Sequence, residues 1–261
     1  MKIAISGATG RMGLAVARLA QADGDIEIVG GSAAPNDPHQ GRDIGELAGI
    51  GSLGVAVTED LASALLGAEV VIDFSIAPVV KSLVQLAARN KIAVVSGTTN
   101  IDAETNAALD KAAQTIPLLW APNMSLGVQV LAELTELALR RLGPGFDAEI
   151  VEIHHRKKVD APSGTAKRLA DAVKAVRKGT IELHGRDGEV GKRTDEEVAV
   201  LGVRGGDVIG DHTVFLLGQG ERIELVHRAS NRDVFAHGAL RAARFVSKAK
   251  PGRYTIADVL G

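Results

Sequence analysis

Residues 152–165, EIHHRKKVDAPSGT, bring together His154, His155, Arg156, Lys157 and Lys158, five consecutive groups able to carry a proton or a positive charge. Such a run repels itself on a plain surface and suits a small, multiply anionic ligand. A histidine exchanges a proton near neutral pH, and a lysine a few residues on either donates a proton or fixes a carboxylate. The run continues through Asp160, Ala161 and Pro162, where the X-Pro step favours an extended turn. It then reaches Ser163, a good N-cap, so that the N–H groups of Gly164 and Thr165 at a helix start can receive an anion. The plainer reading of the same residues is a solvated basic loop before a capped helix. On a strand His154 and His155 point to opposite faces. With no HExxH motif, no second ligand cluster and three cations beside them, a metal site is not expected.

A second constellation stands at the N-terminus. Lys2–Ser6 reads as a short buried strand running straight into Gly7-Ala8-Thr9-Gly10-Arg11-Met12-Gly13 and then into a helical pattern at Leu14, Ala17, Leu19 and Ala20. Strand, glycine turn and helix start together place backbone N–H groups where a pyrophosphate can sit. The spacing is GxxGxxG, so it is the position after a strand and before a helix that makes this a dinucleotide site. Arg11 is placed to meet a phosphate. The second strand, near Ile26–Val29, should end on an acidic residue that holds a ribose hydroxyl. Ala33 and Ala34 stand there instead, with nothing acidic until Asp37 and no arginine until Arg42. The cofactor is therefore read as NADH or NADPH, without a choice between them.

Strands and helices then alternate. Residues 68–74, 92–95 and 117–120 read as strands, and 78–90 and 102–114 as helices, which predicts an α/β fold with a Rossmann-like, doubly wound parallel sheet. Ligands collect at the carboxyl ends of such strands. Gly97, Thr98 and Thr99 after one strand, and Ala121, Pro122, Asn123 and Met124 after another, are accordingly expected to bind the cofactor with the glycine turn. Residues 35–54 read as a long surface loop.

After a long amphipathic helix ending near Leu142 the pattern changes. Strands are expected at 147–155, 197–204, 208–217 and 221–228, with Gly205-Gly206-Asp207 and Gly218-Gln219-Gly220 as hairpin turns and a helix from Ser163 to about Lys178. This is a C-terminal α+β domain with a mixed or antiparallel sheet. A last helix, about 234–248, should return to the first domain. The expected division is 1–124 with 233–261 for the dinucleotide, and 125–232 for substrate binding and oligomerisation.

Lys+Arg of 30 against Asp+Glu of 32 leaves a formal charge of -2, so nothing global points to nucleic acid or an acidic membrane. The absence of cysteine removes disulfides, thiolate catalysis and cysteine-bound metals. No segment approaches the roughly 20 apolar residues of a membrane span, and the chain opens on a strand without a signal peptide. The expected location is the cytoplasm.

The motifs GATGRMG from Gly7, VVIDFS around Asp73, SGTT from Ser96, APNMSLGV from Ala121, EIHHRKKVDAPSGTA from Glu152, VRGGDVIGDHTV from Val203 and HRAS from His227 resemble the dihydrodipicolinate reductases, also called 4-hydroxy-tetrahydrodipicolinate reductases, of bacterial diaminopimelate and lysine synthesis. The resemblance spans essentially the whole chain. It implies His154 as proton donor and acceptor and Lys158 as proton donor. It also implies that His155, Gly164 and Thr165 bind a cyclic dicarboxylate, that Gly7 to Met12, Gly97 to Thr99 and Ala121 to Met124 bind the dinucleotide, and that the assembly is a homotetramer. Members commonly carry an acidic and then a basic residue where this chain has Ala33 and Ala34. Two rival readings are a different NAD(P)-dependent reductase of small dicarboxylates and a non-catalytic dinucleotide sensor.

Overall fold

The structure, a computed structural model, describes residues 1–261. The chain divides into two compact units, Met1–Leu126 with Arg232–Gly261, and Gly127–Asn231.

The first unit begins with β1 (Lys2–Ser6), α1 (Arg11–Asp23), β2 (Glu27–Ser32), α2 (Ile44–Ala48), β3 (Val57–Thr58) and α3 (Leu61–Ala64). It continues with β4 (Val70–Asp73), α4 (Ala77–Asn90), β5 (Ala93–Ser96), α5 (Ala103–Ala113) and β6 (Pro117–Trp120). The second unit is built from most of α6 (Leu126–Leu142), then β7 (Asp147–His154), α7 (Gly164–Val176), β8 (Ile181–Leu183), β9 (Glu197–Arg204), β10 (Asp211–Leu217) and β11 (Arg222–Arg228). The chain then returns to the first unit as α8 (Asp233–Val246), β12 (Gly252–Tyr254) and α9 (Ile256–Leu260).

The first sheet is parallel throughout, in the order β12-β6-β5-β4-β1-β2-β3. Its central strands are buried on both faces, as continuous apolar runs such as VVID require. One apolar layer packs the sheet against α1, α8 and α9, with Val16, Ala20, Ala239 and Ala243 inaccessible to solvent. The other, with Leu83, Val84 and Leu109 equally buried, packs α4 and α5 on the opposite face. This is the doubly wound architecture expected from strand–helix alternation.

Several elements depart from the expectation. Residues 35–54 are not one loop: Asp43 caps α2 by accepting N–H bonds from Gly45 and Glu46 at 2.8 and 3.1 Å, and also receives Leu53 and Val55 N–H at 3.0 Å each. Ile44 beside it is fully buried. The short β3, β8 and β12 and the small helices α3 and α9 were not foreseen either. Each of these three strands pairs with a single neighbour, so burial imposes little pattern on it.

In the second unit the sheet is mixed, ordered β11-β10-β7-β9-β8. Only Gly218-Gln219-Gly220 closes a hairpin, between antiparallel β10 and β11. Gly205-Gly206-Asp207 does not, because β9 lies parallel to β7 on one side and β10 antiparallel to it on the other. The link passes over the end of β7 instead, where Gly205 N–H donates to His154 O and Arg156 N–H to Gly206 O. β7 alternates strictly, with Ala148, Ile150, Glu152 and His154 on the covered face. That face packs on α6 and α7 through Leu131, Leu139, Leu169 and Val173.

Candidate active site

In the first unit, register aligns the strand ends. Ser6 pairs with Asp73, Asp73 with Ser96, and Ser96 with Trp120, so the loops beginning at Gly7, Phe74, Gly97 and Ala121 leave the sheet in one row. Asp73, fully buried, ties two of these loops together. Its carboxylate accepts from Ser96 Oγ at 2.7 Å and Thr98 Oγ1 at 2.9 Å, and from Ser75 N–H at 3.1 Å. The Thr98 hydroxyl therefore faces inward, while Thr99 is exposed beside Asn100.

The glycine turn fits a pyrophosphate by its own geometry. Gly7 has φ +77°, and a Cβ there would lie 2.6 Å from Phe74 O; a Cβ on Gly97 would strike the Phe74 ring at 2.3 Å. Both loops can approach only because those side chains are missing. Gly7 and Ala8 N–H both donate to Ser32 O at 2.9 Å, so these two residues shape the turn. Thr9 to Met12 form its outer part, where α1 starts with Gly10 as N-cap and no side-chain cap. Arg11 is exposed there. After β6, Pro122 is exposed, Asn123 Oδ1 accepts from Ser125 N–H at 2.8 Å, and Met124 is buried in the core.

In the second unit the reactive stretch is held by a carboxylate that the motif reading did not single out. Glu152, wholly inaccessible, receives His154 Nδ1 at 2.6 Å, both terminal nitrogens of Arg204 at 2.7 Å and Ser163 N–H at 3.0 Å. Burial alone would raise its pKa, but the Arg204, His154 and Ser163 hydrogen bonds outweigh burial and hold it below the usual range. An ionised carboxylate only accepts, so His154 Nδ1 carries a proton and, in the neutral ring, Nε2 keeps its lone pair. Burial pushes the His154 pKa down, against the opposing pull of Glu152, so the ring is a neutral base near pH 7. A Cβ on Gly210 would lie 2.9 Å from Nε2; the glycine keeps that nitrogen uncovered.

Arg204 also donates to Asp160 O at 2.7 Å, anchoring the loop that carries Lys158. Lys158, its side chain about one-fifth exposed, donates from Nζ to Asp160 Oδ1 at 2.7 Å. Ser163 caps α7 by accepting from Ala166 N–H at 3.2 Å, and its Oγ meets His212 Nε2 at 3.1 Å. The His212 ring stands edge-on to His154 with centroids 5.2 Å apart. Burial, with the neighbouring His154 adding to it, pushes its pKa down to about 3. His154, Lys158 and the α7 start at Gly164 and Thr165 thus belong to one bonded cluster. Partly buried His155 adjoins it, with its N–H on Val208 O at 2.8 Å. The arrangement offers a base of fixed tautomer, an ammonium and a helix start within one small region.

Known proteins align with both halves. Residues 1–124 match the family model described as Dihydrodipicolinate reductase, N-terminus, and residues 127–260 the one described as Dihydrodipicolinate reductase, C-terminus. The 4-hydroxy-tetrahydrodipicolinate reductase of Myxococcus xanthus is 46% identical, over 100% of this chain and 98% of its own length. That of Methanopyrus kandleri is also 46% identical, over 99% of this chain and 96% of its own. Among solved structures, a dipicolinate-bound dihydrodipicolinate reductase from Paenisporosarcina sp. superposes with a TM-score of 0.79 at 24% identity, covering 98% of this chain and 97% of that one. An amine dehydrogenase from Mycobacterium smegmatis shares the fold at a TM-score of 0.69 and 16% identity, over 98% and 95%. With both family halves matched in order and relatives aligned end to end, the chain belongs to the dihydrodipicolinate reductase family.

Proposed function

We propose that the chain is a 4-hydroxy-tetrahydrodipicolinate reductase, which forms tetrahydrodipicolinate for diaminopimelate and lysine synthesis. A hydride and a proton enter the cyclic dicarboxylate and its 4-hydroxyl leaves as water, so atoms and charge balance. Bound NADH or NADPH supplies the hydride, delivered to C4. Thr9 to Met12, with Thr99 and Asn123 on the neighbouring loops, are the residues placed to hold it; Gly7, Ala8, Gly97, Thr98, Ala121, Pro122 and Met124 shape those loops.

The remaining work falls to the second unit. His154 Nε2 exchanges the proton as the ring's charge changes, because Glu152 keeps the other nitrogen protonated. Lys158 is the proton donor, with Asp160 holding its ammonium. His155 and the α7 start at Gly164 and Thr165 take the substrate carboxylates, where the positive end of the helix dipole favours an anion. The single observation that carries this reading is the carboxylate-fixed His154 joined through Arg204 and Ser163 to the Lys158 loop and the α7 cap. Steady-state kinetics on enzymatically generated substrate test it, with cyclic and linear dicarboxylates side by side. Cofactor oxidation specific to the cyclic substrate is expected; dinucleotide binding without turnover would refute the enzyme reading.

The reading extends to a cytoplasmic homotetramer. The second sheet's face opposite α6 and α7 supports assembly, since Val203 and Val226 are 47% and 44% exposed and Val151, Ile153 and Phe215 lie on the same face, only partly covered. Sedimentation velocity distinguishes a tetramer from a monomer.

A further inference from the structure

The segment after β2 lacks an acidic residue where a ribose-binding one is expected, since Ala33 and Ala34 occupy those places. The structure brings a carboxylate back by another route. Ser32 O is fixed by Gly7 and Ala8 N–H, and Ala33 N–H donates to Thr58 O at 3.1 Å, so the segment leaves β2 directly beside the glycine turn. It then folds into a tight turn in which Asp37 N–H donates to Ala34 O at 3.0 Å and Gln40 Nε2 to the same oxygen at 2.8 Å. The turn carries Asp37 onto the glycine loop. Thr9 Oγ1 donates to Asp37 Oδ2 at 2.6 Å, and His39 N–H donates to Oδ1 at 2.9 Å.

We infer that Asp37 is this chain's nucleotide-selecting residue, receiving the adenosine ribose hydroxyls of NADH and repelling the 2′-phosphate of NADPH. This rests on the reading of the glycine turn as the dinucleotide site. A carboxylate has about four acceptor positions, and Thr9 and His39 occupy two, so each oxygen can still accept a ribose hydroxyl. The Thr9 hydrogen bond, together with the His39 N–H, holds the carboxyl below its usual range, so it is an anion at neutral pH. A 2′-phosphate would place a second anion against it. Neither nearby arginine neutralises it: Arg42 leans on His39 Nδ1 at 3.4 Å, and the charged neighbour that acts on Asp37 is His39, not an arginine. Selection therefore comes as much from repulsion of the wrong nucleotide as from attraction of the right one.

Direct binding tests this apart from turnover. NADH and NADPH are titrated by fluorescence into the full-length protein and into Asp37→Asn and Asp37→Ala, and kcat/KM is measured with each nucleotide. The wild type is expected to bind NADH roughly tenfold or more tighter than NADPH, and both variants to shrink that ratio to about threefold or less, chiefly by tightening NADPH. Because both constants come from one preparation, partial misfolding cancels in the ratio. A wild-type ratio near one, or a ratio unchanged in both variants, overturns the inference while leaving the dinucleotide site standing. Binding of neither nucleotide would instead remove the reading on which it rests.

Discussion

Replacing Glu152 by Gln keeps the shape of a wholly buried side chain while turning one acceptor oxygen into a donor. Four N–H groups now converge on the carboxylate at 2.6–3.0 Å. An amide nitrogen at Oε1 would oppose Ser163 N–H and Arg204. At Oε2 it would oppose Arg204 and His154 Nδ1, and only the second clash can be relieved, by moving the histidine proton from Nδ1 to Nε2. The relieved state costs the Glu152–Arg204 ion pair. Breaking a buried pair costs about 3–5 kcal/mol, and since Arg204 is about one-fifth exposed the lower end, about 3 kcal/mol, applies. At roughly 2–4 °C per kcal/mol for a chain of this size, Tm should fall by about 6–12 °C. The moved proton leaves Nε2 as a donor where a base is needed, so kcat should drop by about 10²–10⁴, the usual contribution of positioned acid–base catalysis. Loss of the Glu152 charge also lets the His154 pKa fall further, so the acidic arm of the kcat–pH profile should move to lower pH. The assay set is thermal melting, kcat and KM across pH, and NADH affinity. A lowered Tm with kcat within threefold of wild type would refute the argument, because it would reduce Glu152 to packing.

Gly210→Ala sets a methyl 2.9 Å from His154 Nε2, so the pinned ring must shift, Tm should fall by several degrees and kcat about tenfold or more, misplacement at a reacting group being costly; unchanged turnover would mean that Nε2 is not the working atom. Lys158→Ala should cut kcat severely and leave NADH affinity as it is, measured by fluorescence titration. For His212 the folded pKa, about 3, lies below its ordinary 6.5. The unfolded chain therefore binds the extra proton in that interval, and stability is complete above about pH 6.5 and declines by about 1.4 kcal/mol per pH unit as pH falls toward 3. Urea unfolding at pH 7, 6 and 5 should show this, and His212→Gln should flatten the decline; an equally steep loss in the variant would assign it elsewhere.

Much of the cofactor half was legible because its signals are local. A glycine turn between a strand and a helix, and polar residues at strand ends, are read within a few positions. Asp43 and Glu46 also form a local signal, a helix-starting acid with an acid three residues on, yet the surrounding glycines and prolines hid α2. In the second unit the stretch 152–165 stands out in the sequence, while what supports it does not. Glu152 stands two residues before His154 and so on the same strand face, a period-two relation open to the sequence alone. Arg204 and His212 were beyond reach, because their meeting with that pair depends on β9 and β10 flanking β7, and the glycine link between those two strands imitates a hairpin. Asp37 was visible as a residue but not as a neighbour of Thr9, since loop folding, not spacing, brings them together.

The excursion of the chain between Leu126 and Arg232 bears on how the molecule is made. The first unit needs α8, which contributes buried Ala236, Ala239, Leu240 and Ala243 to one of its two apolar layers, and β12, which extends its sheet beyond β6. Both are synthesised only after every residue of the inserted unit has been added to the chain. The usual order, with the N-terminal domain folding first, is thereby reversed. The inserted unit can complete itself while the nascent first sheet still shows an unpaired β6 edge and the uncovered face that α8 will close. Over that interval the growing chain is at its most exposed to aggregation and to chaperone binding.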